Sequence, residues 1–86
     1  MIKQHIILGV HITNRVKHAG KVQQVFTEHG ESIKTRLGLH DANEESGSPN
    51  GLILLEMTGG KKDALALAKK LNKIKGVEVQ KMIFDP

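Results

Sequence analysis

The stretch with the clearest capacity to bind an anion is Thr58-Gly59-Gly60-Lys61-Lys62. Glycines that leave a strand and open a helix can direct backbone N–H groups at a phosphate or a carboxylate. Two lysines in the first helical turn oppose the helix dipole unless an anion compensates for them. The spacing does not match a P-loop, which requires four residues between its glycines and then Gly-Lys-Ser/Thr. Gly59, Gly60, Lys61 and Lys62 are therefore a candidate effector site, and a simple turn with solvated lysines is the alternative.

Five histidines in 86 residues raise the question of metal binding. His5 and His11 lie on one predicted strand about 20 Å apart, which is too far for both to hold one ion. His11 and His40 are expected at the same end of two strands that a third strand separates, with about 10 Å between their backbones. A metal site at His11 or His40 would thus need ligands from a second subunit. Ordinary surface or interface histidines are the alternative, and no cofactor is expected.

The acidic loop that follows His40 invites comparison with a calcium-binding loop. Asp41, Asn43 and Glu45 stand at the first, third and fifth positions of such a series. Ser46 occupies the position that requires glycine, and Leu52 the position that requires a bidentate glutamate. A solvated loop is the better interpretation.

Six lysines concentrate on the second predicted helix and its ends, in a chain of net charge +4. They are Lys61, Lys62, Lys69, Lys70, Lys73 and Lys75. Such a stripe could meet nucleic-acid phosphates. It has no interleaved aromatic residues and no helix-turn-helix pattern, so a solvated helix face is the better interpretation. If this protein controls DNA at all, we expect a separate DNA-binding partner protein to touch it, and no direct nucleic-acid binding.

The composition is that of a small globular domain, with 38% apolar and 26% charged residues. It contains no apolar run long enough to span a membrane and no charged-then-apolar leader, so we expect a cytoplasmic domain over residues 1–86. Without cysteine it has neither disulfides nor a cysteine nucleophile. No catalytic signature appears, and we do not expect an enzyme. Since a chain this short buries only about 60% of its unfolded surface, self-association would add stability.

Hydrophobic periodicity divides the chain into two β-α-β units. Apolar residues alternate at a period of two in residues 2–12 and 33–40, residues 52–57 are almost wholly apolar, and residues 77–84 form a last, more polar strand. Two segments between them have helical spacing. Thr13 or Asn14 is expected to cap the first helix and Gly30 to stop it in a left-handed conformation, while Gly76 closes the second. Gly20 is expected to allow the first helix to pack closely on the sheet.

This order predicts an α+β, ferredoxin-like βαββαβ sandwich, with a four-stranded antiparallel sheet in the order 4-1-3-2 and two helices on one face. The more polar second and fourth strands suit the edges. The apolar third strand suits a central position covered on both sides. In the second strand, one face is expected to carry Ile33, Thr35, Leu37 and Leu39, and the other Lys34, Arg36, Gly38 and His40.

The sheet face away from the helices is a candidate oligomer interface. It is expected to carry Ile7, Leu52 and Leu54 as an apolar patch, among His5, Arg36 and Glu56. An apolar patch on so small a domain is more often an interface than bare surface. We therefore expect a homodimer or a higher oligomer joined through sheets or sheet edges.

Several segments together resemble one known family over about residues 3–84. They are the Thr-Asn-Arg start of the first helix, Arg-Leu-Gly-Leu-His in the second strand, Leu-Ile-Leu-Leu-Glu-Met in the third, and the ending Lys-Ile-Lys-Gly-Val-Glu-Val-Gln-Lys. The chain resembles the ACT-like iron-only hydrogenase system regulators. More distantly, it is similar to the C-terminal domain of nickel-responsive repressors.

The resemblance implies a non-enzymatic, homo-oligomeric domain that senses a small effector and regulates transcription or a hydrogenase system. Amino-acid-binding ACT domains usually carry a glycine between the first strand and first helix, where this chain reads Ile12-Thr13-Asn14-Arg15-Val16. That departure argues against amino-acid binding there. Two alternatives stay open: a nickel- or zinc-responsive module with intersubunit histidine ligands, and a purely structural oligomerisation domain.

Overall fold

The computed structural model of the chain describes residues 4–39 and 50–85, and for Arg15 and Val16 only the backbone. The elements are β1 (His5–Ile12), α1 (Arg15–Glu28), a 3-10 turn (Gly30–Ser32), β2 (Ile33–Leu39), β3 (Gly51–Met57), α2 (Lys61–Asn72) and β4 (Val77–Phe84). The predicted strand start at residues 2 and 3, His40, and the acidic loop residues 41–49 lie outside the described residues.

The four strands form one antiparallel sheet in the order β2-β3-β1-β4. β1 pairs with both β3 and β4, and β2 pairs with β3. This is the predicted order 4-1-3-2 read from the other side, with the more polar strands β2 and β4 at the edges. The predicted ferredoxin-like α+β fold is therefore confirmed.

One hydrophobic core lies between the sheet and both helices. β1 contributes every second residue: Ile6, Leu8, Val10 and Ile12. The predicted apolar stripe of α2 is buried in the same core, at Ala64, Leu67, Ala68 and Leu71. The period of two in the strand and the period near 3.6 in the helix thus bring both apolar faces together. Full burial of a side chain such as Leu67 stabilises the fold by roughly 1.5–3 kcal/mol.

Within the described chain, β3 is covered on one side only, whereas coverage on both sides was expected. Leu55 and Met57 are buried beneath the helices, whereas the side chain of Leu52, on the opposite face, is 37% exposed. Both helices contribute to the single core on the helix side. The apolar residues of β3 on the other side are thus left uncovered by the described chain.

A β-bulge changes the orientation of most of β2. The pairing with β3 shifts between Ile33 and Thr35, so that Ile33 pairs with Met57 while Thr35 already pairs with Glu56. An extra residue in one strand reverses the sides of all residues beyond it. Ile33 packs against the core, but Leu37 lies on the opposite face. The expectation that Ile33, Thr35 and Leu37 share one face was wrong for this reason.

The capping interactions predicted for the two helices are only partly observed. Asn14 is the N-cap of α1 but makes no side-chain capping hydrogen bond, and Gly30 does not have the positive φ that was expected. The chain leaves α1 through the 3-10 turn instead. Gly76 has the left-handed φ of +86°, but α2 ends at Asn72 with Lys73 as its C-cap, so Gly76 lies in the turn before β4 and does not close the helix as predicted. In the described part of the chain, no helix is long and apolar enough to cross a membrane.

Candidate functional site

The loop between β3 and α2 has the backbone that its glycines predict. Gly59 has φ +98° and Gly60 φ +107°, a region that side chains other than glycine rarely adopt. Lys61 and Lys62 are the first two residues of α2, and both are exposed. The Thr58 N–H donates to the Ser32 carbonyl oxygen at 2.8 Å, which fixes the end of β3 against the turn before β2. The loop therefore has a defined geometry at the N-terminus of α2.

A carboxylate of the chain itself lies against this loop. Asp63 Oδ2 is 2.7 Å from the position that a Cβ on Gly59 would occupy. Asp63 is in the first turn of α2, where a negative charge is favoured by the helix dipole. It therefore offsets part of the positive charge of Lys61 and Lys62. Its position three residues after Gly60 is that of the acidic residue in a capping box, which was the sequence signal for it.

A cavity of about 210 Å³ adjoins the loop. It is lined both by glycines of the loop and by residues that the sequence analysis assigned to the oligomer interface. We call it the corner cavity; its lining includes Gln4, His5, Ile7, Lys34, Glu56, Gly59 and Gly60. Lys34 Nζ is 3.9 Å from Glu56 Oε2, and the Thr35 hydroxyl donates to Glu56 Oε1 at 3.1 Å. The cavity thus combines a lysine, a histidine and glycine backbone with one carboxylate. Lys61 and Lys62 directly follow Gly60 in the sequence but are not among the residues that line the cavity.

The sheet face away from the helices is called the open face here. Cross-strand pairing with β1 and β3 assigns to it His5, Ile7, Gly9, His11, Thr35, Leu37, Leu39, Leu52, Leu54, Glu56, Glu78, Gln80, Met82 and Phe84. Leu37, Met82 and Phe84 are each more than half exposed. The predicted apolar patch of Ile7, Leu52 and Leu54 is thus on one face, and four further apolar residues extend it. Sequence reasoning missed Leu37 and Leu39 because the bulge in β2 moves them to this face, and it missed Met82 and Phe84 because the fourth strand was judged polar.

Arg36 is not on the open face, contrary to expectation. Its guanidinium carbon lies 5.3 Å from the centroid of the Phe26 ring, and its Nη1 donates to Gln23 Oε1 at 2.9 Å. Both partners belong to α1. The bulge in β2 is the cause, because it turns Arg36 to the side on which the helices pack.

His11 lies on the open face between two neighbours, Leu52 on β3 and Glu78 on β4. His40, the other candidate metal ligand, is outside the described residues. Among residues 4–39 and 50–85, no group of three or more histidine, aspartate or glutamate residues could hold a metal ion. An intersubunit metal site at His11 or His40 therefore stays a prediction.

The connection between β1 and α1 contains a left-handed residue that is not a glycine. Asn14 has φ 53° and ψ 65°, and within the described residues it is the one non-glycine residue with positive φ. Its N–H donates to the Asn50 side chain at 3.0 Å, which ties the connection to the start of β3. Asparagine is among the residues that tolerate this region best. Asn14 therefore provides a backbone conformation for which glycine is the usual residue.

Comparison with solved structures places the fold among small α+β proteins. An uncharacterized protein from Thermotoga maritima is 25% identical, with a TM-score of 0.77 over 96% of this chain and 98% of that one. A nitrogen regulatory PII-like protein from Thiomonas intermedia, bound to ADP, AMP and bicarbonate, is 11% identical, with a TM-score of 0.59 over 100% of this chain and 98% of that one.

A formyltetrahydrofolate deformylase from Pseudomonas putida is 13% identical, with a TM-score of 0.55 over 91% of this chain but 28% of that one. No family model and no curated protein matches the sequence. One fold therefore serves a regulatory protein and part of an enzyme, so function must be argued from the site. The chain has the ferredoxin-like α+β fold that these proteins share.

Proposed function

We propose that this protein is a non-enzymatic regulatory domain that senses a small anionic effector and acts as a homo-oligomer. The observation that carries the proposal is the open face, where apolar side chains lie uncovered on a domain of 86 residues. Large exposed apolar patches on small soluble proteins mark interaction surfaces. The resemblance to ACT-like hydrogenase-system regulators favours transcription or a hydrogenase system as the regulated process.

The effector proposal rests on the loop at Gly59, Gly60, Lys61 and Lys62. Its two glycines expose backbone at a helix N-terminus, and its two lysines raise the local positive charge. The PII-like structure from Thiomonas intermedia holds ADP, AMP and bicarbonate, which are all anions at neutral pH. We infer that the effector of this protein is likewise a small anion.

An effector at this loop must share it with the Asp63 carboxylate. Because Asp63 already lies against Gly59, an anion would meet fewer unopposed positive charges there than the lysines alone suggest. The corner cavity gives such an anion a second approach, through Lys34 and His5. We therefore expect moderate affinity and a preference for anions small enough to enter about 210 Å³.

The proposed partners are further copies of the same chain and, for control of DNA, a separate DNA-binding protein. The lysines of α2 are exposed, and one of them, Lys70, pairs with Glu28 of α1 at 3.1 Å. Solvated lysines with a structural partner favour a helix surface over a nucleic-acid site.

Thermal unfolding in the presence of inorganic phosphate, bicarbonate, AMP and ADP tests the proposal. We expect at least one anion to raise the Tm, and the double variant Lys61→Ala/Lys62→Ala to reduce that shift. Lys69→Ala/Lys73→Ala is the matched control, because it removes the same charge from the other end of the same helix. Equal shifts in both double variants would place the anion elsewhere, and no shift with any anion would contradict the effector role.

A further inference from the structure

The central strand contains a glycine that the described chain does not require. Gly9 lies in the middle of β1, and its φ is not positive. A Cβ built on it would meet the Gln80 carbonyl oxygen and Leu54 Cδ2, both at 3.8 Å, which is ordinary contact. A glycine within a strand is destabilising relative to alanine, and it often marks a point where another molecule approaches the backbone closely.

Gly9 forms the floor of a depression in the open face. Two neighbouring cavities share Gly9 and Gln80 in their lining, one on the side of His11 and Leu52 and the other on the side of Ile7 and Met82. The larger has a volume of about 370 Å³. We call this feature the Gly9 depression.

The same face carries side chains that protrude. Leu37 is 53% exposed, Met82 51% and Phe84 54%, and cross-strand pairing puts all three on the side of Gly9. Leu37 is on the edge strand β2, whereas Met82 and Phe84 are on the opposite edge strand β4. The open face therefore combines a central hollow with apolar projections on both sides of it.

We propose that a second copy of this chain packs its open face on this one, and that the Gly9 depression of each copy receives an apolar side chain of the other. This deepens the self-association in the proposed function and rests on it. A two-fold interface uses one surface twice, so it needs hollow and projection on the same face. The open face has both.

The size of the face suits this occupant. Four strands and about seven residues per strand cover roughly 19 by 23 Å, from the spacing and rise of β-strands. Side-chain relief makes the accessible area larger than this projection. Two such faces therefore bury on the order of 1,000 Å², which is the lower limit for a specific interface.

The charge of the face also favours a second copy over a polyanion. Although the chain has a net charge of +4, no lysine or arginine is among the described residues assigned to its open face, and the two carboxylates among them are Glu56, which pairs with exposed Lys34 of β2, and Glu78 on β4. Nucleic acid or an anionic lipid surface would require concentrated positive charge. A nearly neutral face with an apolar centre is what packing between identical sheets requires.

Sedimentation velocity over a wide concentration range tests the proposal with two matched glycine variants. Gly9→Ala puts a methyl group in the depression. Gly38→Ala puts one on the edge strand β2, where an added Cβ meets nothing within 4 Å, and its pairing with Ile53 puts it on the helix side. We expect Gly9→Ala to raise the dimer dissociation constant tenfold or more, and Gly38→Ala to change it less than twofold. Gly9→Leu should abolish the dimer.

Circular dichroism should show the same fold in Gly9→Ala and Gly38→Ala, because an added Cβ makes only ordinary contacts at Gly9 and none within 4 Å at Gly38. A dimer that Gly9→Ala and Gly9→Leu leave unchanged would overturn this mode of packing but not the oligomeric role, which edge pairing could still provide. A wild type that stays monomeric at millimolar concentration would overturn both. If the wild type is monomeric and anions stabilise it but do not stabilise Gly9→Ala, the depression binds a small ligand, and the proposal is overturned.

Discussion

Arg36 and Phe26 form a cation–π pair on the helix side of the sheet, with 5.3 Å between the guanidinium carbon and the ring centroid. The pair joins the edge strand β2 to α1, and the hydrogen bond from Arg36 to Gln23 reinforces it. Its role in the described structure is to hold two elements of one chain together.

Arg36→Ala should therefore lower the free energy of unfolding without weakening self-association. A cation–π pair at an exposed site contributes about 0.5–1 kcal/mol, and the hydrogen bond a similar amount, so we expect a loss of about 1–2 kcal/mol. Urea denaturation below the association range measures it. Lys34→Ala is the control, because its ion pair of 3.9 Å is exposed and should contribute less than about 0.5 kcal/mol. If Arg36→Ala weakened association but left the free energy of unfolding unchanged, Arg36 would belong to the interface instead.

Leu52→Glu should shift any oligomer toward monomer, and Leu54→Glu should act in the same way. A glutamate in the middle of a buried apolar interface leaves an unpaired charge there. Leu65→Glu is a closely matched control, since Leu52 and Leu65 are both 37% exposed but Leu65 is on α2. Light scattering should show mass loss for Leu52→Glu and Leu54→Glu but not for Leu65→Glu. Equal loss in both variants would indicate a nonspecific effect of charge.

The two lysine pairs of α2 should have opposite effects on stability. Lys61→Ala/Lys62→Ala removes positive charge from the helix N-terminus and should raise the free energy of unfolding by roughly 0.5–1 kcal/mol at low salt. Lys69→Ala/Lys73→Ala removes it from the C-terminal turn, where the dipole favours it, and should lower that free energy. Chemical denaturation at low and high salt checks this, because screening should reduce both effects. Effects of the same sign would contradict the dipole argument.

Two glycine substitutions should also differ in sign. Gly59→Ala places a side chain at φ +98° and within 2.7 Å of the Asp63 carboxylate, so we expect it to cost at least about 1 kcal/mol. Gly20 lies in α1 with nothing within 4 Å of an added Cβ, so close packing does not explain it, contrary to expectation. Gly20→Ala should stabilise by about 0.5–1 kcal/mol through helix propensity. Thermal unfolding compares the two; stabilisation by Gly59→Ala would contradict the left-handed geometry of the loop.

Metal binding, if it occurs, should depend on association. Calorimetry with Ni²⁺ and Zn²⁺ should show a loss of affinity on dilution below the dimer range, and a further loss on acidification, because protons compete for imidazole nitrogens. His11→Ala and His40→Ala should each reduce the heat, whereas His29→Ala on the end of α1 should not. No heat with the wild type, or unchanged heat in both variants, would remove the metal hypothesis.

The sequence by itself determined the order of the elements, the apolar stripe of α2 and the edge positions of β2 and β4. Each follows from local periodicity, which a helix or strand imposes whatever surrounds it. The glycine turn at Gly59 and Gly60 was predictable for the same reason, because a positive φ selects glycine locally. The contribution of Asp63 could also have been predicted, because an acidic residue three positions after the N-cap is favoured at the start of a helix.

The tertiary structure alone decided which side of the sheet each residue of β2 occupies. A bulge reverses the sides while leaving the period of two intact. The partner strand could not reveal it, because β3 is apolar on both faces: Leu54 and Leu55 are equally good neighbours for an apolar residue of β2. The pairing of Thr35 with Glu56 sets the register. It turns Arg36 toward Phe26 and Leu37 onto the open face, and so completes the surface around Gly9.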